Sequence, residues 1–304
     1  MKHAPLILSL LLATSSQLSH AWDASGHRIS ARVAWDQLSP RAREKVSDLL
    51  SRHDASEHWL RSSRHYREQP DQDFIRFVEA STWADQIRHD SRYADDAGSS
   101  SRQTVRLPDR QRHKDWHYEN RAVDKNTRDI SSRDGQISRR LSLLIEQLGQ
   151  PRASAREKAY ALTWVIHLTA DIHQPLHVAS RYDRQGQSDA GGNGFAVIDP
   201  LNPKRQNTSL HAYWDRLPGQ YTLKRRGLGE VAQDWQTTLP AQEVSQGNPR
   251  VWLEESLGIA RTQVYPDQPV LDAAYRQRAA AISQRRLTEA GYRLAGLLNQ
   301  IFGH

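Results

Sequence analysis

The sequence predicts an all-α protein that folds as a single, mainly helical domain. Long stretches place apolar residues three and four positions apart, which is the spacing of one helix face. Few segments alternate as a β-strand does, and no internal repeat or low-complexity linker divides the chain. The chain has 304 residues, of which 37% are hydrophobic and 25% are charged, a composition typical of globular proteins.

The N-terminus has the pattern of a secretory signal peptide. Lys2 and His3 precede an apolar run at 6–13, and small residues surround a cleavage site expected after Ala21. The apolar run is too short to span a membrane, and no later segment is long and apolar enough to do so. We therefore expect a signal peptide at 1–21 and a periplasmic or secreted catalytic domain at 22–304, without membrane insertion.

Helical segments follow one another along the mature chain. The 153–173 segment is long and largely apolar, so it is expected at the centre of the core. The segments 90–109 and 181–207 are expected to be loops, the second with room for a short hairpin and long enough to bind a ligand. The remaining predicted helices are 25–38, a segment opened by Ser39-Pro40, 74–88, 135–148 and 271–302.

The composition limits the possible chemistry. The chain has no cysteine but has 14 histidines, which excludes disulfides, thiolate zinc fingers, iron–sulfur clusters and cysteine nucleophiles. A tight transition-metal site must therefore use His, Asp and Glu. Lys and Arg outnumber Asp and Glu by 42 to 35, and a basic surface favours polyanions such as nucleic acid.

Side chains that can bind metal are dense in six short segments. His167 and Asp171 are four residues apart, so both lie on one face of the central helix and can share a metal. Pro175 ends that helix, which allows His177 to return toward the same place. A hydrogen-bonded core histidine is the plainer interpretation of a lone His, but it accounts poorly for three such residues at this spacing.

The other segments are weaker evidence for a metal site when each is taken alone. His211 and Asp215 repeat the spacing of four, with aromatic residues between them that the core alone would explain. Taken alone, Asp85 could be an ordinary carboxylate on a helix surface, and His117 could be a buried histidine that is hydrogen-bonded and binds no metal. His27 lies close to the expected mature N-terminus.

Seven short motifs follow one another along the expected mature chain. They are an N-terminal Trp followed by Gly-His, then Trp-Ala-Asp, Trp-His-Tyr, His-x₃-Asp-x-x-Gln-Pro-Leu-His, Gly-Gly-Asn and Leu-His-x-x-Trp-Asp. In this order they resemble the motifs of the zinc-dependent single-strand nucleases of the S1/P1 family, whose fold is shared with zinc-dependent phospholipase C. The resemblance covers almost the whole expected mature chain.

The resemblance implies a helical fold with three Zn²⁺ ions in a cleft. The ligands implied for the first zinc are Asp85, His117, His167 and Asp171. Those implied for the second zinc are His177, His211 and Asp215. The third would be held by the α-amino group and carbonyl oxygen of Trp22, by His27, and by Asp171 as a bridge. Only cleavage after Ala21 would create that amine ligand, whose pKa of about 8 lets zinc displace its proton near neutrality.

The implied activity is that of a secreted endonuclease, with 3′-nucleotidase activity on nucleotides. It would cut single-stranded DNA and RNA to 5′-phosphate products. Three zinc ions and three aspartates leave a charge near +3, which suits a phosphate. Because zinc lowers the pKa of bound water to about 7, hydroxide is expected to attack phosphorus in line. No stable protein partner is implied, and a monomer is expected.

Three further residues have expected roles in this reaction. Asp85 is expected to orient the attacking water as well as to bind zinc. Lys125 matches a family position near the phosphate, although a solvated surface lysine explains it equally well. Asn193 matches a position that contacts substrate, although an asparagine flanked by glycines is also a common turn residue.

The remaining histidines are not expected to bind metal. His173 is two residues from Asp171, so it points elsewhere on the helix and is expected to be structural. Those in polar stretches are expected at the surface: His53, His58, His65, His89 and His113.

Two alternative functions remain open. Zinc-dependent phospholipases C carry Glu in the last His-x₃-acid motif, where this chain has Asp215. A non-catalytic, metal-stabilised protein that binds polyanions would have closed metal sites, whereas these ligand sets leave positions for water. Turnover of single-stranded DNA, RNA and phosphatidylcholine separates the three hypotheses.

Overall fold

Ten α-helices dominate the part of the chain that the structure describes. It is a computed structural model, and it describes residues 22–61, 71–96, 108–124, 135–204, 206–219, 223 and 226–304. The predicted signal peptide and Lys125 lie outside these ranges. The helices are α1 (Ala24–Gln37), α2 (Pro40–Ser51), α3 (Ser56–Arg61), α4 (Gln72–Gln86), α5 (Ile137–Gly149), α6 (Ala155–Asp171), α7 (Leu210–Asp215), α8 (Leu228–Thr238), α9 (Pro249–Ile259) and α10 (Ala273–Phe302).

Short irregular turns and strands join these helices. Strands β1 (Arg121–Ala122) and β2 (Ala179–Ser180) pair in parallel. Strands β3 (Ala196–Ile198) and β4 (Asn207–Ser209) form an antiparallel hairpin, within and just beyond the predicted loop at 181–207. The all-α prediction is therefore confirmed. Single helical turns lie at Ile87–His89, Lys114–Trp116, Pro175–His177, Ala241–Glu243 and Ala260–Val264.

Helix α6 is the centre of the core, as its apolar sequence predicts. Every residue from Ala159 to Asp171 is buried. The helix begins at a capping box, in which Ser154 and Glu157 satisfy each other's free backbone N–H groups. Helices α2, α4, α5 and α10 pack against it. Polar side chains at the C-terminal end of α6 are therefore surrounded by protein on several sides.

Helices α1 and α10 cross at a position where only glycine fits. A Cβ atom added to Gly291 would lie 2.6 Å from the Cβ of Val33 and 2.7 Å from the carbonyl oxygen of Ser30. Real Cβ atoms do not approach other atoms so closely, because repulsion is steep at these distances. The crossing fixes the position of α1, whose first turns carry His27.

Two histidines expected at the surface are buried, so that prediction was wrong for them. His53 stacks on Trp59 with ring centroids 4.8 Å apart, and His113 stacks on Trp116 at 3.7 Å. They are 8% and 6% exposed. Aromatic partners outweigh the polar character of their neighbours in sequence. His58 and His89 are exposed, as expected, and His65 lies outside the described residues.

Among the described helices, none combines the length and the apolar character needed to cross a bilayer.

Gly291→Ala is expected to lower the free energy of unfolding by about 1–3 kcal/mol, because the added methyl group forces α1 and α10 apart. Gly258→Ala is the matched control. It changes another helical glycine, around which an added Cβ would meet nothing within 4 Å. This control should raise stability by about 0.5–1 kcal/mol through helix propensity. Denaturant unfolding measures both values, and equal stability of the two variants would contradict the close crossing.

Candidate metal centre

Histidine and aspartate side chains, all buried except the partly exposed Asp85, converge at the C-terminal end of α6. They come from α1, α4, α6 and α7 and from the turns that carry His117 and His177. Within each of three groups, one ligand atom from each residue lies within 4.8 Å of the others. The groups are His27, His167 and Asp171; Asp85, His117 and His167; and His177, His211 and Asp215.

The Asp171 carboxylate lies between the groups. Its Oδ2 atom is 3.0 Å from both His117 Nδ1 and His167 Nε2. Its Oδ1 atom is 3.4 Å from His27 Nε2 and 3.6 Å from His177 Nδ1. One fully buried carboxylate thus presents each oxygen to a different set of imidazoles.

The distances between neighbouring ligand atoms fit a zinc-sized ion. Four ligand atoms placed tetrahedrally at about 2.0–2.1 Å from an ion are about 3.3 Å from one another. Here His117 Nδ1 lies 3.0 Å from His167 Nε2 and 3.9 Å from Asp85 Oδ1. In the third group, His211 Nε2 is 3.3 Å from an oxygen of Asp215. Each set could close around one ion with small side-chain movements.

Backbone carbonyls fix the orientation of three imidazoles. The Nδ1–H group of His167 donates to Ser81 at 2.7 Å, that of His177 to the carbonyl of His117 at 3.0 Å, and that of His211 to Gly191 at 2.7 Å. Each bond leaves the Nε2 lone pair free to bind a metal, which is the usual arrangement around metal-binding histidines.

A glycine-rich turn supplies the carbonyl that orients His211. Gly191 has a φ of +64°, and a Cβ atom there would lie 2.4 Å from the Leu176 carbonyl oxygen. Only glycine therefore fits the turn. The side-chain amide of Asn193 donates to the Ala190 carbonyl at 2.8 Å in the same turn. The structure thus places Asn193, a predicted substrate-binding residue, beside the group that contains His211.

Electrostatics in the cluster favour a bound cation. Burial lowers the pKa of His27 to about 3 and that of His117 to about 4, so both rings are neutral, as metal ligands must be. Burial alone would raise the pKa of Asp85 and Asp171, but the neighbouring imidazoles, His167 foremost, lower it. Burial also opposes a charge on His167, yet the two carboxylates raise its pKa to about 9. The carboxylates thus draw positive charge into the site, and a divalent cation would supply it.

Several buried polar atoms in the cluster lack a hydrogen-bond partner among the described residues. Leaving such an atom unpaired costs about 1–3 kcal/mol, so native proteins rarely tolerate several of them in one place. A set of imidazole nitrogens and a carboxylate oxygen is what a transition metal binds. The residues present therefore fit a metal centre. The atoms are both ring nitrogens of His27, Nε2 of His117, Oδ1 of Asp171 and Nε2 of His177.

Trp22 packs against this cluster. Its indole is fully buried and donates to the Ala170 carbonyl at 3.1 Å, next to Asp171. The following amide, that of Asp23, donates to the Asp215 carbonyl at 2.9 Å. The backbone at residue 22 is thereby kept near two of the three groups.

Arg88 is a candidate functional residue that the sequence analysis missed. It lies in the helical turn after α4, and its Nη1 donates to Asp85 Oδ1 at 3.4 Å. Both side chains are 14% exposed, so they line the accessible edge of the cluster. Burial is the main cause of the lowered pKa values of His117 and His211, and the positive charge of Arg88 lowers both further. The sequence gives one signal, since spacing of three from Asp85 places both on one helix face.

His173 points away from the cluster, as its spacing predicts. Its Nδ1–H group donates to Thr169 at 2.7 Å, and its Nε2 accepts a bond from Arg293 on α10 at 2.8 Å. It is a structural residue that ties the end of α6 to α10.

Comparison with known proteins agrees with this geometry. Endonuclease 1 of Arabidopsis thaliana is 25% identical over 318 residues, which cover 98% of this chain and 92% of that protein. Nuclease S1 of Aspergillus oryzae (strain ATCC 42149 / RIB 40) is 24% identical over 324 residues, 98% of each chain. Endonuclease 4 of Arabidopsis thaliana is 30% identical over 161 residues, 47% of this chain and 50% of that protein.

A sequence profile described as S1/P1 Nuclease matches residues 22–303. It begins at the residue whose backbone lies against the cluster and includes all eight converging side chains. With the match running from the expected mature N-terminus almost to the last residue, the chain belongs to the S1/P1 nuclease family, a family of metal-dependent hydrolases.

Proposed function

We propose that the protein is a secreted, zinc-dependent endonuclease that hydrolyses single-stranded DNA and RNA to 5′-phosphate products and removes phosphate from 3′-nucleotides. The observation that carries this proposal is the convergence of eight acid and imidazole side chains around Asp171 in a chain of a nuclease family. A phospholipase C is not favoured, because the matched family is one of nucleases and the last motif ends in Asp215.

The donor set supports zinc. Nitrogen and carboxylate oxygen ligands in near-tetrahedral sets suit zinc, and the chain has no thiolate to offer. We propose three ions. The proposed ligands of the first are Asp85, His117, His167 and Asp171, and those of the second are His177, His211 and Asp215. Those proposed for the third are the amine and carbonyl oxygen of Trp22, His27 and Asp171.

When bound, the zinc ions would supply positive charge to the phosphate and lower the pKa of the attacking water to about 7. Side chains of the protein would orient the water and bind the phosphate. Asp85, at the exposed edge, would accept a hydrogen bond from that water and orient it toward phosphorus. The Arg88 guanidinium beside it would donate to a phosphate oxygen and stabilise the added charge of the transition state.

Two further contacts belong to the same proposal. Lys125 would lie near the phosphate, and Asn193 would contact the substrate from the turn whose Gly191 carbonyl orients His211. The support for Asn193 is this adjacency, and the support for Lys125 is its motif position eight residues after His117.

We also propose that residues 22–304 form one catalytic domain, released by cleavage after Ala21 into the periplasm or the medium. The support is the signal pattern at 1–21 and a family match that starts at residue 22. Because the Trp22 amine exists only after cleavage, removal of the signal peptide would complete the third zinc site. The domain would act as a monomer, with neither a stable protein partner nor membrane insertion.

The mature protein with zinc is expected to release nucleotides from single-stranded DNA, RNA and 3′-nucleotides, and no product from phosphatidylcholine. Chelation should abolish the activity, and added zinc should restore it, since the metal holds both substrate and water. Lipid turnover without nucleotide release would instead identify a phospholipase. A zinc-loaded protein that turns over none of these substrates would be a binding protein.

Asp171→Asn is expected to reduce kcat/KM for single-stranded DNA by more than about 100-fold, because it removes a shared ligand. Zinc content should fall by more than one ion per chain, and the melting temperature should fall with it. Elemental analysis and thermal unfolding measure these effects. Asp267→Asn, at an exposed acid, is the control. Full zinc content and activity in Asp171→Asn would refute the bridging role.

One glycine added before Trp22 is expected to reduce zinc content by about one ion per chain and to impair activity. The amine would move by one residue, about 3.8 Å along the chain, and the amide that replaces it is a poor ligand. Elemental analysis of this variant and of a chain starting at Trp22 makes the comparison. Equal zinc content in the two proteins would argue against an N-terminal ligand.

A further inference from the structure

A cleft outside the metal centre lies between the end of α2, helices α4 and α6, and the loop around Asp109. Its volume is about 110 Å³. One water molecule needs about 10–15 Å³ of such a cavity, so the cleft has room for one flat ring of modest size. The rings that line it are His53, Trp83, Tyr93 and Tyr160.

These rings form aromatic walls on several sides. Trp83 meets Tyr93 and Tyr160 edge to face, with centroids 6.0 Å and 5.6 Å away. His53 is nearly parallel to Tyr160, at 6.5 Å and an interplanar angle of 21°. Aromatic side chains arranged in this way hold flat, unsaturated rings by stacking and edge contacts.

A buried polar group lines the same cleft. The Nδ1 atom of His53 accepts a bond from the Ala55 amide at 3.0 Å, and burial lowers the His53 pKa to about 4. In the neutral ring the proton is therefore on Nε2, which has no partner among the described residues. More than nine-tenths buried, His53 can offer this donor to a heterocyclic nitrogen or a carbonyl group.

The charges around the cleft cancel. Two acids, Asp54 and Asp109, face two arginines, Arg110 and Arg156. Arg156 pairs with Asp54 at 3.0 Å on the exposed rim, and Asp109 accepts a bond from the Tyr160 hydroxyl at 3.0 Å. A cleft without net charge suits an uncharged ring better than a phosphate group.

The cleft lies close to the metal centre. Tyr160 and His167 are seven residues apart on α6, which is about 10 Å along the axis. Between them Trp164 packs against Trp83 at 5.7 Å and against His117 at 5.6 Å. A nucleic acid strand advances about 3.4 Å per stacked nucleotide, so the cleft is a few nucleotides from the cluster.

We propose that this cleft binds one unpaired nucleobase of the substrate strand, a few nucleotides from the bond that is cut. The inference rests on the proposed nuclease function and adds a determinant of substrate length to it. It requires a base that can leave its stack, so it also favours single strands.

The test compares substrates of different length. Tyr93→Ala removes a half-buried wall, and Pro108→Trp fills the mouth with a ring of the protein. Both are expected to raise KM for an eight-nucleotide single strand by about tenfold, the effect of losing one stacked base. Neither should change kcat/KM for a dinucleotide or a 3′-nucleotide. Tyr93→Phe, which keeps the ring, should behave as wild type.

The control is Phe302→Ala, which removes a half-buried ring at the end of α10. Equal loss on long and short substrates in both cleft variants, or no change on any substrate, would overturn the cleft proposal. If the wild-type protein cuts neither the short nor the long substrates, the proposed function itself fails. The two failures are therefore distinguishable.

Discussion

Two buried oxygens of one carboxylate organise this molecule. Asp171 is fully buried at the end of the central helix, and each of its oxygens faces different imidazoles. An ionised carboxylate in such a place needs compensating charge, because transfer from water costs far more than a hydrogen bond returns. The imidazoles provide part of that compensation, and a bound cation would supply the rest. The helices that bring them must meet around α6, which constrains the fold as well as the chemistry.

Much of the remaining core keeps these groups in position. Carbonyl oxygens of α4 and of two turns orient the imidazoles, so the backbone that carries these oxygens must be rigid. Behind the cluster, Ser256 donates to the Ile172 carbonyl at 2.7 Å, and Arg293 donates to His173 at 2.8 Å. Helices α9 and α10 thus secure the turn between Asp171 and His177. Metal sites depend on such outer contacts for affinity and geometry.

Sequence patterns predicted the elements that carry strong local signals. Helix α6 has an apolar face and a capping box, and Ser39-Pro40 marks the start of α2. Helices α3, α7, α8 and α9 were not predicted, although Asn248-Pro249 is a start signal for α9. Convergence of the cluster was expected from its motifs, whereas burial of His53 and His113 depends on aromatic contacts that local polarity hides. Arg88 was missed because nothing in the sequence distinguishes it from the other 41 lysines and arginines. Only the folded structure shows that it lies beside Asp85.

Anomalous X-ray diffraction at the zinc absorption edge, from crystals of a chain that begins at Trp22, would show directly whether zinc ions occupy this cluster. We expect three separate peaks, two of which share Asp171 as a ligand while the third lies between His177, His211 and Asp215. The peak near His27 should have the Trp22 amine within bonding distance. Peaks elsewhere on the molecule, or a cluster held together by hydrogen bonds without any metal, would contradict this expectation.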